Sequence, residues 1–166
     1  MSKKALVVID IQNDITKHYR DIIDNINEAI NWASENSMEI VYIQHNNLSA
    51  GTRTFKPGNK GADFAPELRV ITDNVFVKTK SNALTSEAFS EYIRTNGINE
   101  FYIVGADATA CVKSTCYNMC KAGYIVHVIS DCVTSYDLKK VGEMLAYYAD
   151  KGCEVKTLAE YQKESV

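Results

Sequence analysis

The sequence predicts an α/β protein, in which an open parallel β-sheet is covered by helices on both faces. Apolar segments of strand length alternate with segments of helical periodicity along the whole chain. The strand-length segments lack the polar-apolar alternation of a half-exposed sheet, so they are typical of strands buried on both faces. No repeat, low-complexity tract or linker divides the 166 residues. We therefore expect a single domain over residues 1–166, built from βαβ units with right-handed crossovers.

Individual elements follow from local patterns. Strands are predicted at residues 5–9, 38–43, 74–77, 101–104, 124–129 and 153–156, and helices at residues 20–36, 86–96, 109–123, 137–151 and 158–163. Ile22, Ile26 and Ile30 mark the apolar side of the first helix, and Gly97 is a stop signal for the second. Residues 46–65 hold three glycines, a proline and several Asn and Lys residues, which predicts a long loop. Loops of that length inside compact domains are usually functional.

Composition limits the possible partners. Hydrophobic residues make up 46% of the chain and charged residues 23%, which is ordinary for a globular protein, and no apolar run is long enough to span a bilayer. The net charge of −3 gives no electrostatic reason to bind nucleic acid or an anionic membrane. We expect a small neutral or anionic ligand instead. Because the first strand begins almost at the first residue, we expect no signal peptide and a cytoplasmic protein.

The five cysteines all lie in the last third of the chain, at Cys111, Cys116, Cys120, Cys132 and Cys153. Without an export signal, an odd number of cysteines in periodic segments favours free thiols over disulfides. Cys116 and Cys120, one helical turn apart, could bind a soft metal, but they lie on an apolar stripe and are predicted to pack in the core, as are Cys132 and Cys153.

Four polar residues are predicted to meet at one edge of the sheet. Asp10, His45, Lys78 and Cys111 each follow or end a different strand, and the carboxyl ends of parallel strands share an edge, where ligands bind. Cys111 lies at a strand-turn-helix junction. With Thr109 as the N-cap, the helix N-terminus is expected to favour its thiolate. The alternative is that Cys111 is a small apolar residue packed under a turn.

An aspartate, a lysine and a cysteine at one edge suit nucleophilic acyl chemistry. Asp10 could take the thiol proton as a general base, and Lys78 could lower the thiol pKa and keep Asp10 ionised. Backbone N–H groups of residues 105–111 could stabilise the oxyanion that follows attack by Cys111. Two alternatives stay open: Asp10 could be a structural acceptor of backbone N–H groups, and His45 could form a Cys-His dyad with Cys111.

Four segments resemble one known family, the isochorismatase-like cysteine hydrolases. They are residues 7–14 (VVIDIQND), 77–85 (VKTKSNALT), 104–112 (VGADATACV) and 123–131 (GYIVHVISD). This superfamily includes nicotinamidases, N-carbamoylsarcosine amidohydrolases and ureidoacrylate amidohydrolases. The resemblance implies a three-layer α/β/α fold with a six-stranded, mostly parallel, Rossmann-like sheet. It also implies hydrolysis of a small amide, ureido or related C–N compound through a covalent intermediate, and a homo-oligomer.

The resemblance also implies roles for individual residues. Asp10, Lys78 and Cys111 would form the catalytic triad, and a cis peptide bond would join Ala106 to Asp107. The N–H groups of Asp107 and Cys111 would then form the oxyanion hole. We expect the substrate to contact three residues, which are Gln12, His45 and Phe55.

The chain departs from the family pattern at two places. Ala108 stands where the family usually has threonine, and Asp107 stands where a small residue is common. Nicotinamidases carry a metal-binding aspartate and histidines after the second strand, whereas this loop offers only His45, with Asp63 distant. We therefore expect no metal and no cofactor. Two other functions stay open: a non-hydrolytic binding or regulatory protein of the same fold, and a redox sensor that uses the thiols.

Overall fold

The centre of the fold is a six-stranded sheet in which every neighbouring pair of strands is parallel. The structure is a computed structural model that describes residues 2–16 and 19–165. The strands are β1 (Lys4–Ile9), β2 (Glu39–His45), β3 (Val75–Lys78), β4 (Glu100–Gly105), β5 (Ile125–Val133) and β6 (Glu154–Lys156), in the spatial order β3-β2-β1-β4-β5-β6. Each of the six predicted strands is present, although the boundaries differ. Strand β5 runs four residues beyond its predicted end, because its register shifts and Val133 pairs with Gly105.

Six α-helices surround the sheet in the part of the chain that the structure describes. They are α1 (Asn13–Thr16), α2 (Asp21–Glu35), α3 (Glu87–Asn96), α4 (Cys111–Lys121), α5 (Lys139–Asp150) and α6 (Leu158–Glu164). The short α1 has no counterpart among the predicted helices, because four residues are too few to show helical periodicity. The α3 termini match their sequence signals: the Ser86 hydroxyl accepts a hydrogen bond from Phe89 N–H, and Gly97 ends the helix with φ +62°.

The helices form two layers, because β1 sends alternate side chains to opposite faces of the sheet. Leu6 and Val8 pack with residues of α2 and α6, whereas Val7 and Ile9 pack with residues of α3, α4 and α5. These four β1 side chains are at most 1% exposed. A strand buried on both faces accounts for the unbroken apolar run in the sequence, and the predicted three-layer α/β/α fold is confirmed.

Strand order reverses between the adjacent strands β1 and β4. The chain leaves β1 toward β2 on one side of this boundary, and it leaves β4 toward β5 on the other side. Ile9 and Gly105 are paired across this boundary. Gly105 has φ +124°, and a Cβ there would lie 2.2 Å from the carbonyl oxygen of Ile9. Only glycine allows this approach, which opens a crevice beyond the carboxyl ends of the two strands.

The predicted long loop is present, and the cysteines are unpaired as predicted, although Cys120 is not fully buried. Residues 46–65 contain no helix or strand except a single 3-10 turn, Lys60–Ala62. All five cysteines are free, and Cys116, Cys132 and Cys153 are buried. Cys120 is half-buried beside Cys153, with 3.4 Å between the two sulfurs. Within residues 2–16 and 19–165, no helix has the length and apolar character needed to cross a bilayer.

Candidate active site

The side chains of Asp10, His45, Lys78 and Cys111 meet at the carboxyl edge of the sheet. Lys78 Nζ lies 3.0 Å from Asp10 Oδ2, 2.8 Å from His45 Nδ1 and 3.2 Å from Cys111 Sγ. Asp10 and Lys78 are buried, at 1% and 2% exposed, whereas His45 and Cys111 are half-buried. The ammonium group of Lys78 is therefore the centre of the cluster.

Backbone geometry aims each of these side chains. Asp10 directly follows β1 and has φ +55°, a left-handed conformation that aspartate adopts more readily than most residues. Its N–H still donates to Ile43, so the β1–β2 ladder continues up to the turn. His45 and Lys78 are paired as the last residues of β2 and β3, and Cys111 is the first residue of α4.

The hydrogen bonds of Lys78 determine where the thiol proton can go. An ammonium has three N–H donors and no acceptor, and three acceptors surround Lys78 Nζ. The sulfur of Cys111 is thus an acceptor toward Lys78, and its S–H is left to donate elsewhere. Asp10 Oδ1 is buried and has no hydrogen-bond partner among the described residues. A carboxylate oxygen of Asp10 lies within 4.8 Å of Cys111 Sγ, so Asp10 is the available proton acceptor.

Burial dominates the pKa values of this cluster. It raises the pKa of Asp10, and the positive charge of Lys78 and the nearby Cys111 thiol, both of which lower this pKa, only partly offset the rise. Burial and the negative charge of Asp10 also raise the pKa of the Cys111 thiol, to about 12, although Lys78 opposes the shift. Lys78 therefore lowers the thiol pKa, as expected, but burial and Asp10 outweigh it, so the expectation that the helix N-terminus favours the thiolate is not met.

The predicted helix cap at Thr109 is also wrong. Helix α4 begins at Cys111, and its N-cap residue Ala110 makes no side-chain capping bond. The Thr109 hydroxyl donates instead to Asp107 Oδ1, which also accepts from the Thr109 N–H. The hydroxyl holds the turn before α4 rather than the first turn of the helix.

That turn leaves two backbone N–H groups without a hydrogen-bond acceptor among the described residues. The peptide bond between Ala106 and Asp107 is cis, at the position which the family resemblance implies. Bonds from Ala108 N–H to Thr134 and from the Tyr148 hydroxyl to the Ala108 carbonyl fix the turn. No hydrogen bond within the described residues uses the N–H of Asp107 or of Cys111.

The Asp107 carboxylate is held by its own turn. Its Oδ1 accepts from Thr109 and its Oδ2 accepts from the N–H of Tyr136, at 2.9 Å. Burial alone would raise the pKa of Asp107, but the hydrogen bonds from Thr109, Tyr136 and Ser135 lower it overall. Asp107 is therefore a fixed negative charge at the mouth of the site.

A cavity of about 310 Å³ opens onto the sulfur. The residues lining it come from the carboxyl ends of β1 to β5 and the segments that follow them, including the long loop. They are Asp10, Asp14, Ile15, His45, Asn47, Thr54, Phe55, Ser81, Asp107, Ala110, Cys111 and Tyr136. Phe55 has φ +52°, and its N–H donates to Asp14 Oδ2 over 2.6 Å. Its ring lies against the imidazole of His45, with 5.6 Å between centroids. The long loop therefore closes one side of the cavity.

The cavity includes two of the three residues expected to contact a substrate. His45 and Phe55 line it, but Gln12 does not. Gln12 is fully buried: its side-chain amide donates to the carbonyls of His45 and Ala62, and its Oε1 accepts from the N–H of His45. The assignment of Gln12 to substrate contact is not supported, because its side chain already ties β2 to the long loop.

Sequence reasoning did not single out several other lining residues. Asp14 lies four residues after Asp10, within the segment 7–14 that resembles the family. That position is a sequence signal by which it could have been identified. Tyr136 offers no sequence signal, since it is one exposed tyrosine after β5. It reaches the cavity because its N–H is bound to Asp107.

The cluster is a poor metal site. One group of possible metal ligands is present among the described residues, formed by Asp10, His45 and Cys111. Their ligand atoms lie within 4.8 Å of one another. Lys78 Nζ, however, hydrogen-bonds to each of those side chains. A metal cation would have to displace a buried ammonium of the same charge sign, so the residues do not fit a metal centre.

Solved structures share this fold. An isochorismatase-like hydrolase from Alkaliphilus metalliredigens aligns with a TM-score of 0.87 and 21% identity over 98% of this chain and 99% of its own. A cysteine hydrolase from Pseudomonas syringae pv. phaseolicola 1448A aligns with a TM-score of 0.87 and 16% identity, covering 98% and 92%. The pyrazinamidase of Pyrococcus horikoshii, solved in complex with zinc, aligns with a TM-score of 0.85 and 22% identity, covering 94% and 99%. A comparison with curated protein sequences finds no significant match.

The sequence itself also matches a family. Residues 4–160 match the model of the isochorismatase domain, so the match includes every residue of the cluster around Lys78. This range covers most of the chain, and the six parallel strands lie within it. The chain therefore belongs to the isochorismatase-like hydrolase family.

Proposed function

We propose that this hydrolase cleaves a C–N bond of a small amide, ureido or related compound through a covalent intermediate on Cys111. The single observation that carries the proposal is the position of Lys78 Nζ, which hydrogen-bonds to both Asp10 and Cys111. A buried ion pair pays a large desolvation cost for little net stability, and ionisable groups of shifted pKa in a cavity are typical of functional sites. In the proposed reaction, Cys111 is the nucleophile, Asp10 the general base and Lys78 the cation that offsets the negative charge.

The first step is attack of Cys111 Sγ on the substrate carbonyl carbon. The thiol proton passes to Asp10 Oδ1, the buried oxygen that has no other partner among the described residues. Burial raises the pKa of Asp10 and so strengthens it as a base. Proton transfer during attack is required because the pKa of the Cys111 thiol is raised to about 12.

Charge then develops on the former carbonyl oxygen. In the proposal this oxyanion accepts hydrogen bonds from the N–H groups of Asp107 and Cys111, which have no acceptor among the described residues. Backbone donors fixed before the reaction need no reorganisation, and each contributes about 3 kcal/mol to the stability of such an intermediate. The intermediate collapses by expelling the amine, which takes the proton back from Asp10.

Water completes the reaction. Asp10 takes a proton from water as the water oxygen attacks the thioester carbon, the C–S bond breaks, and Asp10 passes that proton to the departing Cys111 sulfur. The products are a carboxylic acid, or a carbamate from a ureido substrate, and an amine. A cavity of about 310 Å³ limits the substrate to a small molecule.

Trapping of the intermediate tests this proposal. The protein is mixed with a panel of small primary amides and ureido compounds, quenched in acid, and examined by intact-mass and peptide mass spectrometry. We expect an acyl adduct on Cys111, no adduct and no turnover in Cys111→Ala, and a loss of turnover of at least about 100-fold in Asp10→Asn. Cys120→Ala is the matched control, because Cys120 is a half-buried thiol on the same helix that does not line the cavity.

Full turnover in Cys111→Ala would overturn the proposal, and so would an adduct confined to another residue. Removal of metals with a chelator is expected to leave turnover unchanged. A homo-oligomer and a cytoplasmic location stay predictions. Light scattering of the purified protein tests the first of these.

A further inference from the structure

We propose that the cavity selects amides that carry an ammonium group and rejects amides that carry a carboxylate, with Asp14 as the residue that binds the ammonium. The inference rests on the proposed function for the identity of the reacting group, but it concerns the other end of the substrate. It replaces the sequence-based expectation of a neutral or anionic ligand.

The charges that line the cavity are negative. Asp10, Asp14 and Asp107 all line it, and no lysine or arginine does so among the lining residues that the structure describes. Lys78 offsets the charge of Asp10, to which it is hydrogen-bonded. No ion pair among the described residues offsets Asp14 or Asp107. A carboxylate entering this cavity would meet two negative charges that have no ion-pair partner among the described residues, and no lysine or arginine among the described lining residues.

His45 does not change this balance. Burial and the positive charge of Lys78 lower its pKa to about 4, so the imidazole is neutral near pH 7. Its Nδ1 accepts from Lys78, so the ring proton is on Nε2. His45 therefore adds a neutral hydrogen-bond donor to the cavity and no positive charge.

The two uncompensated carboxylates differ in what they can still bind. Both oxygens of Asp107 already accept hydrogen bonds from Thr109 and Tyr136, so Asp107 contributes charge rather than a contact. Asp14 accepts at Oδ2 from the N–H of Phe55, and its Oδ1 accepts no hydrogen bond from the described residues. Asp14 is the carboxylate with an oxygen available to a ligand.

The groups around Asp14 suit an ammonium. The ring of Phe55 lines the same cavity, and an aromatic face near a carboxylate attracts a cation. Arg53 and Lys56, the cationic residues beside Phe55 in the sequence, are exposed and lie outside the lining of the cavity. They are therefore not placed to receive a substrate carboxylate.

Three amides of similar size separate the possibilities. β-Alaninamide carries an ammonium, butanamide is neutral and succinamate carries a carboxylate at the position corresponding to that ammonium. We expect kcat/KM, measured by ammonia release near neutral pH, to fall in the order β-alaninamide, butanamide, succinamate, with about tenfold or more between the first and the last. Added salt should reduce this ratio, because the selection is electrostatic.

The variant Asp14→Asn tests the assigned residue. Asparagine keeps an oxygen that can accept from Phe55 N–H, so the loop contact is retained while the charge is lost. We expect the preference for β-alaninamide over succinamate to drop by about tenfold, chiefly because KM for β-alaninamide rises. Asp63→Asn is the matched control, since Asp63 is exposed in the same loop and does not line the cavity. It should leave the ratio unchanged.

A binding measurement keeps this inference separate from the proposed reaction. Each amide is tested for protection of Cys111 against alkylation by iodoacetamide, which reports occupancy of the cavity whether or not turnover occurs. The same order of protection without turnover would overturn the proposed reaction and support charge selection. Equal or better protection by succinamate would overturn charge selection, and an unchanged ratio in Asp14→Asn would overturn the assignment of the ammonium site to Asp14.

Discussion

The ammonium of Lys78 donates to Nδ1 of His45 across 2.8 Å, in addition to its contacts with Asp10 and Cys111. This contact requires an unprotonated Nδ1, because an ammonium has no acceptor. His45 therefore supports the orientation of Lys78 only as a neutral ring. A proton on Nδ1 would both break the hydrogen bond and bring two positive charges together.

The first prediction concerns acid pH. Burial and Lys78 lower the pKa of His45 from 6.5 to about 4, so in this range the unfolded chain binds a proton that the folded protein does not. Stability contributed by neutral His45 is thus present above pH 6.5 and is lost as pH falls toward about 4. We expect the free energy of unfolding, measured by urea titration, to fall more steeply across this window in the wild type than in His45→Asn.

The comparison with the variant is needed because Asp10 acts in the opposite sense. Its folded pKa is raised, so it binds a proton more readily when folded, and its contribution to stability grows as pH falls. Asp10 is present in both proteins, and the difference between them isolates His45. Parallel stability curves for the two proteins would contradict the assigned protonation state.

The second prediction concerns the thiol. Since burial and Asp10 raise the pKa of Cys111 from 9.0 to about 12, its alkylation rate should keep rising with pH above 9. Asp10→Asn removes a charge that raises this pKa, so the variant should be alkylated faster than the wild type at pH 9, even though its turnover is lost. Peptide mass spectrometry after timed treatment with iodoacetamide measures both rates at Cys111. Slower alkylation in Asp10→Asn would show that Asp10 does not hold the thiol protonated.

The third prediction concerns the buried ion pair. Lys78→Met leaves the Asp10 carboxylate without its cation in a site where both side chains are at most 1% exposed. We expect a loss of about 3–5 kcal/mol in the free energy of unfolding, and recovery of a large part of it in Asp10→Asn/Lys78→Met. Lys80→Met is the control, because Lys80 is exposed, and should change stability by no more than about 0.5 kcal/mol. Equal losses for Lys78→Met and the double variant would mean that packing of the Lys78 stem, and not charge, is responsible.

The fourth prediction concerns the crevice between β1 and β4. Gly105→Ala places a Cβ 2.2 Å from the carbonyl oxygen of Ile9 at φ +124°, so β4 must move away from β1. We expect destabilisation of at least about 2 kcal/mol together with loss of turnover. Gly142→Ala is the same change in α5, where a Cβ meets nothing within 4 Å, and should stabilise the protein by about 0.5–1 kcal/mol. Thermal and urea unfolding of the two variants would reveal whether their effects have opposite signs.

The sequence was sufficient to predict which residues form the site, but not the protonation states of their side chains. Asp10, Lys78 and Cys111 were identifiable because each ends or follows a strand, and parallel strands bring such positions to one edge. The pKa of Cys111 depends on how much water reaches the sulfur and on the distance to Asp10, and neither quantity is written in local sequence. For the same reason the role of Gln12 was misjudged, since its three hydrogen bonds go to residues 33 and 50 positions away.

The amino-acid sequence by itself determined the order of strands and helices, because apolar periodicity depends only on near neighbours along the chain. It also determined which polar residues stand at the strand ends. Only the tertiary structure decided that Lys78 joins His45 to the acid and the thiol, and that Asp14, Asp107 and Tyr136 line the cavity. Those relationships depend on burial and on distances between residues far apart in the chain, and folding alone sets both.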